Sequence, residues 1–526
     1  MTWLRWIIGA LVIVLVVAAE PASAENILRW ASATEPLTFD PHAANHTPTV
    51  AENQQVYEGL VGFNSSYEIE PSLAVEWKLI SPTIWQFNLR QGVRFHDGSP
   101  FTSEDVVFSL HRAMAETSDF KGDLPPITAV EAIDDHTVRI TTSAPDPILP
   151  DELNSIHIIS KKWADQHKAL LPAVYGEQLN YAEDHANGTG PFKLVSFAPG
   201  VGTVMTRNPD WWGLKQNPHN FDGIVHTVIK DPAARLQALL SGEVDFLSDP
   251  PLADLDQIKH TPGLKLERIN EFRTIFLGLD QGSRELRSSN VKGRNPFADR
   301  RVRQAIYQAI DEETIRDKVM NDLAIPSGVI IQPGINGYVP ELDTRLPHQP
   351  AAAEALLAAA GYPDGFAVAL DCPNDRYIND ETICRAAAAM LGEIGIRVTV
   401  AARPMREHFP MIKGRQTDFY MLGWGPGPFD SQFHFGYLIR SDAPYNATGY
   451  TNPRVDDLID AIETALATYA RDAMIEEVWK QVRDDIVYVP LHHQVIVWAM
   501  REQLELPADA RNWPRFRLAR LNTVAT

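Results

Sequence analysis

FAVALDCPNDRYINDETICRAAAAMLGEIGIRVTVAA, residues 366–402, is the stretch that decides the architecture. FAVALDC reads as a strand, NDETICRAAAAMLGEIG (379–395) as a helix and IRVTVAA as a second strand. Strand–helix–strand alternation implies a parallel sheet, so the expected fold class is α/β. Just upstream, AAAEALLAAAGYPDGF (351–366) is a short helix stopped by Gly361, with Pro363 beyond it. The stretch also holds both cysteines of the chain, Cys372 and Cys384. Two cysteines do not make a disulfide-built scaffold. In an oxidising compartment they could pair. Because Cys384 falls on the helix, pairing and two separate buried thiols stay equally open.

Helices with one apolar face continue through the second half. Val302, Ile306, Ala309 and Ile310 line one side of a helix, and Val455, Leu458, Ile459 and Ile462 line another after Asn452-Pro453. Ile475, Val478, Trp479 and Val482 make a third stripe. All three read as core packing. The first third is strand and loop. IWQFNLR (84–90) alternates as a half-buried strand, HDGSP turns, and Ser103 caps the helix SEDVVFSLHRA with Glu104 and Asp105 in its first turn. HTVRITT (136–142) is another strand, ended by the proline-bearing APDPILP.

At roughly 150 residues per domain, 526 residues suggest about three domains. A formal charge of −21 argues against non-specific binding to nucleic acid or anionic lipid. At the N-terminus, Arg5 precedes an uncharged apolar run (6–19), and Ala22-Ser23-Ala24 fits a small-x-small cleavage site. This is the pattern of a secretory signal peptide over 1–24, cleaved after Ala24, with an uncleaved anchor as the alternative. No cysteine follows the run to accept a lipid. The mature chain is expected in the exported space, the periplasm.

Chemistry-bearing motifs are missing. The chain has no G-x-x-x-x-G-K-[ST] loop, H-E-x-x-H pair, G-x-S-x-G elbow or C-x-x-C. GTGPF (188–192) has too few glycines for a dinucleotide loop. His492 and His493 are adjacent, so on a strand they point to opposite faces and cannot share a metal. His96 in FHDG reads as a turn residue. Binding is favoured over catalysis, with no cofactor and no metal site.

Residues 85–113, WQFNLRQGVRFHDGSPFTSEDVVFSLHRA, resemble the diagnostic segment of family 5 extracellular solute-binding proteins, the dipeptide-, oligopeptide- and nickel-binding receptors of ABC importers. Further family-like landmarks follow in order along nearly the whole mature chain. They are ASATEPLTFDPH, VYEGLVGF, GTGPF, NPDWWG, ALLSGEVDF, FADRRVRQAIYQAID, LLAAAGYPDGF, GYTNPRVDDLID and DDIVYVPLHH. The resemblance implies a periplasmic-binding-protein-like fold (type II, cluster C) of two α/β lobes joined by a hinge. Lobe one would use 25–57, 188–270 and 491–526, the extra domain on it 58–187, and lobe two 271–490. GTGPF would mark a crossing back into lobe one, its glycines suiting tight backbone conformations. Such receptors close over a small peptide or peptide-like solute and deliver it to inner-membrane permease subunits driven by cytoplasmic ATPases. A monomer is expected.

The resemblance also points to site residues. In the family's peptide receptors an aromatic strand end is followed three residues on by an aspartate that pairs with the peptide amine. In WGPGPFD (424–430) Trp424 matches the aromatic position, but the acid's position holds Gly427. Asp430 is the nearest replacement; the alternative is a helix cap for the segment that follows. In dipeptide receptors an arginine upstream of this tryptophan clamps the free carboxylate, and Arg376 stands at closely similar spacing, flanked by Asn374 and Tyr377. An arginine fork suits a carboxylate because it donates two parallel hydrogen bonds. The alternative for Arg376 is an ion pair with Asp375 or Asp380. An arginine kept and an acid lost imply a carboxylate ligand whose amine is modified, distant or missing, such as a peptide-like conjugate or an opine-like compound. The competing readings are a nickel or metal-chelate receptor of the same family, a periplasmic hydrolase, and a chaperone or signalling module on the same fold.

Overall fold

A computed structural model of the chain describes residues 25–174, 180–217, 219–425 and 427–522. The segment read as a signal peptide, 1–24, lies outside the described residues.

The deciding stretch folds as its pattern predicts. Strand Phe366–Pro373 pairs in parallel with Ile396–Arg403, and helix Asp380–Glu393 crosses between them. Phe366, Val368, Leu370 and Cys372 point into the core at strand spacing; Ile383, Cys384, Ala387 and Leu391 do so at helical spacing. Gly395 ends the crossover at φ +86°, where a glycine is favoured over any side chain. Strand and helix also settle the cysteines. They bring Cys372 and Cys384 to a Cα–Cα distance of 6.6 Å, and the two are joined as a disulfide. The bridge closes the loop that carries Asn374, Arg376 and Tyr377. Replacing both cysteines by alanine is expected to lower stability by about 2–4 kcal/mol in a urea unfolding curve, since a loop of this length loses its constraint on the unfolded chain.

These strands sit at one end of an eleven-stranded mixed sheet. Its spine is two long antiparallel strands, Leu264–Leu279 and Tyr488–Arg501. Residues 264–270 pair with 495–501, and 274–278 pair with 488–493. Between them, at 271–273, the register slips. On one side lies an apolar cluster with Leu28, Trp30, Phe192, Ile224, Phe246 and Trp498; on the other lie two clusters drawn largely from 272–491. The three predicted helical stripes are fully buried in those last two clusters, on helices Arg300–Ala309, Pro453–Thr464 and Thr468–Asp484 with Ile310 just beyond the first.

A second, four-stranded antiparallel sheet is built from Ala74–Ser81, Ile84–Leu89, Thr137–Thr142 and Ile127–Asp134. Helix Ser103–Ala113 packs on it with a core of its own. Its cap is Thr102 rather than Ser103. Thr102 and Asp105 form a reciprocal capping box, and Ser103 is already helical. At its far end Arg112 makes a fully buried bidentate pair with Asp40, which ties this unit to the N-terminal segment.

The glycines of GTGPF act through close approach and not through unusual torsions. A Cβ on Gly188 would lie 2.0 Å from the Val56 carbonyl oxygen, and one on Gly190 2.7 Å from it. The two histidines at the end of DDIVYVPLHH do point apart: His492 Nδ1 lies 2.6 Å from Glu312, whereas His493 contacts Thr274 and Asp343.

Candidate ligand-binding site

The turn 424–430 is where the chain leaves the large sheet. Strand Phe419–Trp424 ends on the indole, and after the Gly-Pro turn a short helix, Ser431–His434, begins. Gly425, Gly427, Pro428 and Phe429 line a cavity of about 220 Å3. The lining is completed from the N-terminal half of the chain, with Asn45, Asp123, Asp151 and Glu152. Phe429 closes one edge: its ring stands 4.4 Å from Phe63, 4.9 Å from Phe272 and 5.2 Å from Tyr67. Tyr437 closes another by donating to the Gly122 carbonyl at 3.2 Å.

The backbone of the turn walls the cavity; the Trp424 ring itself packs with Phe433, Tyr437 and Tyr445. Its Nε1–H is sealed from water and has no hydrogen-bond partner among the described residues, so it remains a spare donor.

Asp430 is buried, 3% exposed, and its carboxylate is fully engaged. It accepts two hydrogen bonds from Arg471 (2.8 and 2.7 Å), one from Asn336 (2.9 Å) and the Gln432 N–H that caps the helix (2.8 Å). The helix-cap alternative describes this geometry, with a buried ion pair added to it. Gly427 is exposed and carries no acid.

Arg376 differs. The ion pairs weighed for it do not form: Asp380 Oδ2 accepts the backbone N–H groups of Arg376 (3.0 Å) and Tyr377 (3.1 Å), and Asp375 accepts from the Met405 N–H (2.7 Å). Its guanidinium has no carboxylate partner among the described residues. It stands 5.5 Å from the centre of the Tyr377 ring, and Arg273 stands 5.7 Å from the same ring. Tyr377 is held between them by donating to the Gly423 carbonyl at 3.0 Å. The charge of Arg273 is the main cause lowering the Arg376 pKa. Two like charges this close favour an anion that bridges them. Asn374 is exposed beside them.

Arg273 lines the cavity and pairs with Glu271 at 3.2 Å; Glu271 is held in turn by Gln494. Neither Arg273 nor Glu271 was legible as a site residue in the strand INEFRTIFLGL. The signal available was an acid and a cation two residues apart inside an otherwise apolar run, at the point where the register slips. Asp151 and Glu152 were also missed, because APDPILP with DELN after it read only as the end of a strand, and Asp123 in KGDLPP carried no signal of its own.

Residues 68–446 match bacterial extracellular solute-binding proteins, family 5 Middle, and the chain belongs to that family. It is 25% identical over 509 residues to heme-binding protein A of Haemophilus influenzae, covering 90% of this chain and 88% of that one. It is equally 25% identical over 531 residues to the dipeptide-binding protein of Escherichia coli, covering 95% and 94%. Among solved structures, HbpA2 from Haemophilus parasuis superposes with a TM-score of 0.81 at 23% identity, covering 95% of this chain and all (100%) of that one. The fold is that of type II periplasmic binding proteins.

Proposed function

We propose that the chain captures a carboxylate-bearing peptide or peptide-like solute in the cavity beside the 424–430 turn and delivers it to the permease of an ABC importer. The observation that carries this reading is the guanidinium of Arg376, without a carboxylate partner among the described residues, beside Arg273, which itself lines a cavity built from both sides of the register slip. Arg376 is exposed to the open cleft, and a cation without a counter-charge beside a second cation favours ligands that supply one. The family membership supports solute capture over turnover, and the dipeptide-binding relative supports a peptide-like ligand.

In this reading lobe one is 25–57, 188–270 and 491–526, the extra domain is 58–187 and lobe two is 271–490. The two long strands act as the hinge at 271–273, where the missing ladder bonds let the backbone bend. The contacts Phe429–Phe63 and Tyr437–Gly122 are then made on closure. The chain is exported, is cleaved after Ala24 and works as a monomer. Asn374, Tyr377 and Trp424 complete the ligand's surroundings, whereas Asp430 holds the turn in place.

Native mass spectrometry of gently purified protein tests the proposal. A co-purifying solute with a free carboxylate is the expected result, with a smaller scattering radius for the loaded protein than for the stripped one. A solute without any acid group, or no compaction on loading, would overturn it.

A further inference from the structure

Besides Arg273, the cavity has a second group of charged lining residues. Asp123, Asp151 and Glu152 line it, and Asp123 and Glu152 also line an adjoining cavity of about 180 Å3 with Pro428 and Tyr437. None of the three acids has a cation within ion-pair distance among the described residues. The cations near them are committed elsewhere: Arg471 to Asp430, Arg511 to Asp509, Arg273 to Glu271. Asp123 receives one neutral hydrogen bond, from Asn45 at 2.6 Å. The Glu152 Oε2 atom is sealed from water and has no hydrogen-bond partner. Burial, with the negative charge of Asp119, pushes the Asp123 pKa up to about 6. Burial, with Asp430, does the same to Asp151. Glu152 is raised by burial and by Asp146. Structural carboxylates are normally paired with cations; here Asp123 has only the neutral Asn45 and Glu152 shares a hydrogen bond with another acid, Asp146, so the cavity's demand for a cation is unmet among the described residues.

We infer that this wall seats the cationic group of the ligand, so that the acid absent at Gly427 is supplied from across the cleft by Asp123, Asp151 and Glu152. The inference rests on the reading that this cavity is the ligand site, and it narrows the ligand class. The solute is dipolar, with its carboxylate at Arg376 and Arg273 and its amine or guanidinium reaching the far wall. Selectivity follows from both ends, because a ligand lacking either charge leaves one set of cavity charges without its counter-charge.

The test uses the full mature chain, with trialanine, N-acetyl-trialanine and trialanine amide as probes in titration calorimetry. Acetylation of the probe is expected to weaken binding to the wild type by roughly 30-fold or more. The D151N/E152Q variant should bind trialanine as weakly as the wild type binds the acetylated form, and should no longer tell the two apart. Arg376→Ala should weaken both to the same degree. If amidation and Arg376→Ala weaken binding while acetylation and D151N/E152Q do not, the wall is no part of the site although the carboxylate clamp stands. If trialanine does not bind at all, the peptide reading is what fails. Agmatine, a cation with no carboxylate, then decides the wall by thermal unfolding: saturable stabilisation of the wild type that D151N/E152Q abolishes supports it, and no stabilisation overturns it. Removing these charges relieves like-charge crowding, so the variant should fold at least as stably as the wild type. Should it not fold, Asp123→Asn alone takes its place in the same comparisons.

Discussion

Arg376→Ala weakens the binding of a carboxylate ligand by about 2–5 kcal/mol, a loss of roughly 30- to several-thousand-fold, while leaving the unfolding free energy within about 0.5 kcal/mol of the wild type. The two halves of this result have separate causes. Affinity is expected to fall because the guanidinium has no carboxylate partner among the described residues and, in the proposed reading, gains one only with ligand. Stability holds because no ion pair is lost: Asp380 and Asp375 hold the loop through backbone N–H groups, which alanine keeps. Arg376→Lys should recover only part of the affinity, since an ammonium group cannot make the two parallel bonds of a fork. Titration calorimetry and urea unfolding on the same preparations check both halves. A stability loss matching the affinity loss would reassign Arg376 to the scaffold.

Arg471→Leu gives the opposite pattern, a fold destabilised by about 3–5 kcal/mol. Asp430 and Arg471 are 3% and 4% exposed and joined by two hydrogen bonds of 2.8 and 2.7 Å. Removing the cation strands a buried carboxylate close enough to Asp151 and Glu152 that its charge already raises both of their pKa values. Arg471→Leu combined with Asp430→Leu should recover much of the loss, because neither charge is then left alone. The 424–430 turn depends on this pair, so Arg471→Leu should also loosen the seam where Phe429 meets Phe63. Urea unfolding of the single and double variants is the direct measurement. Equal destabilisation by both would show that packing of the long side chains, and not charge pairing, is what matters.

How much was legible in the sequence follows from which interactions are local. The strand–helix–strand unit at 366–402 and the three helical stripes are written in spacings of two to four residues, and those are readable from one chain. Arg376 could be found because a family pattern fixes its distance along the chain from Trp424. The role of Asp430 could not be decided that way, because its partner lies 41 residues further on and meets it only in the folded state. Asp123, Asp151 and Glu152 escaped for the same reason: their significance lies in facing a cavity whose other wall is more than 100 residues away in sequence. Arg273 was hidden inside a strand whose register slip is itself a tertiary feature.

The bridge between Cys372 and Cys384 has a consequence for when the receptor becomes competent. It ties the strand before the Arg376 loop to the helix after it, so a covalent constraint joins the hydrogen bonds of Asp380 and Asp375 only where thiols are oxidised. In a reducing compartment the hydrogen bonds of Asp380 and Asp375 alone would hold that loop.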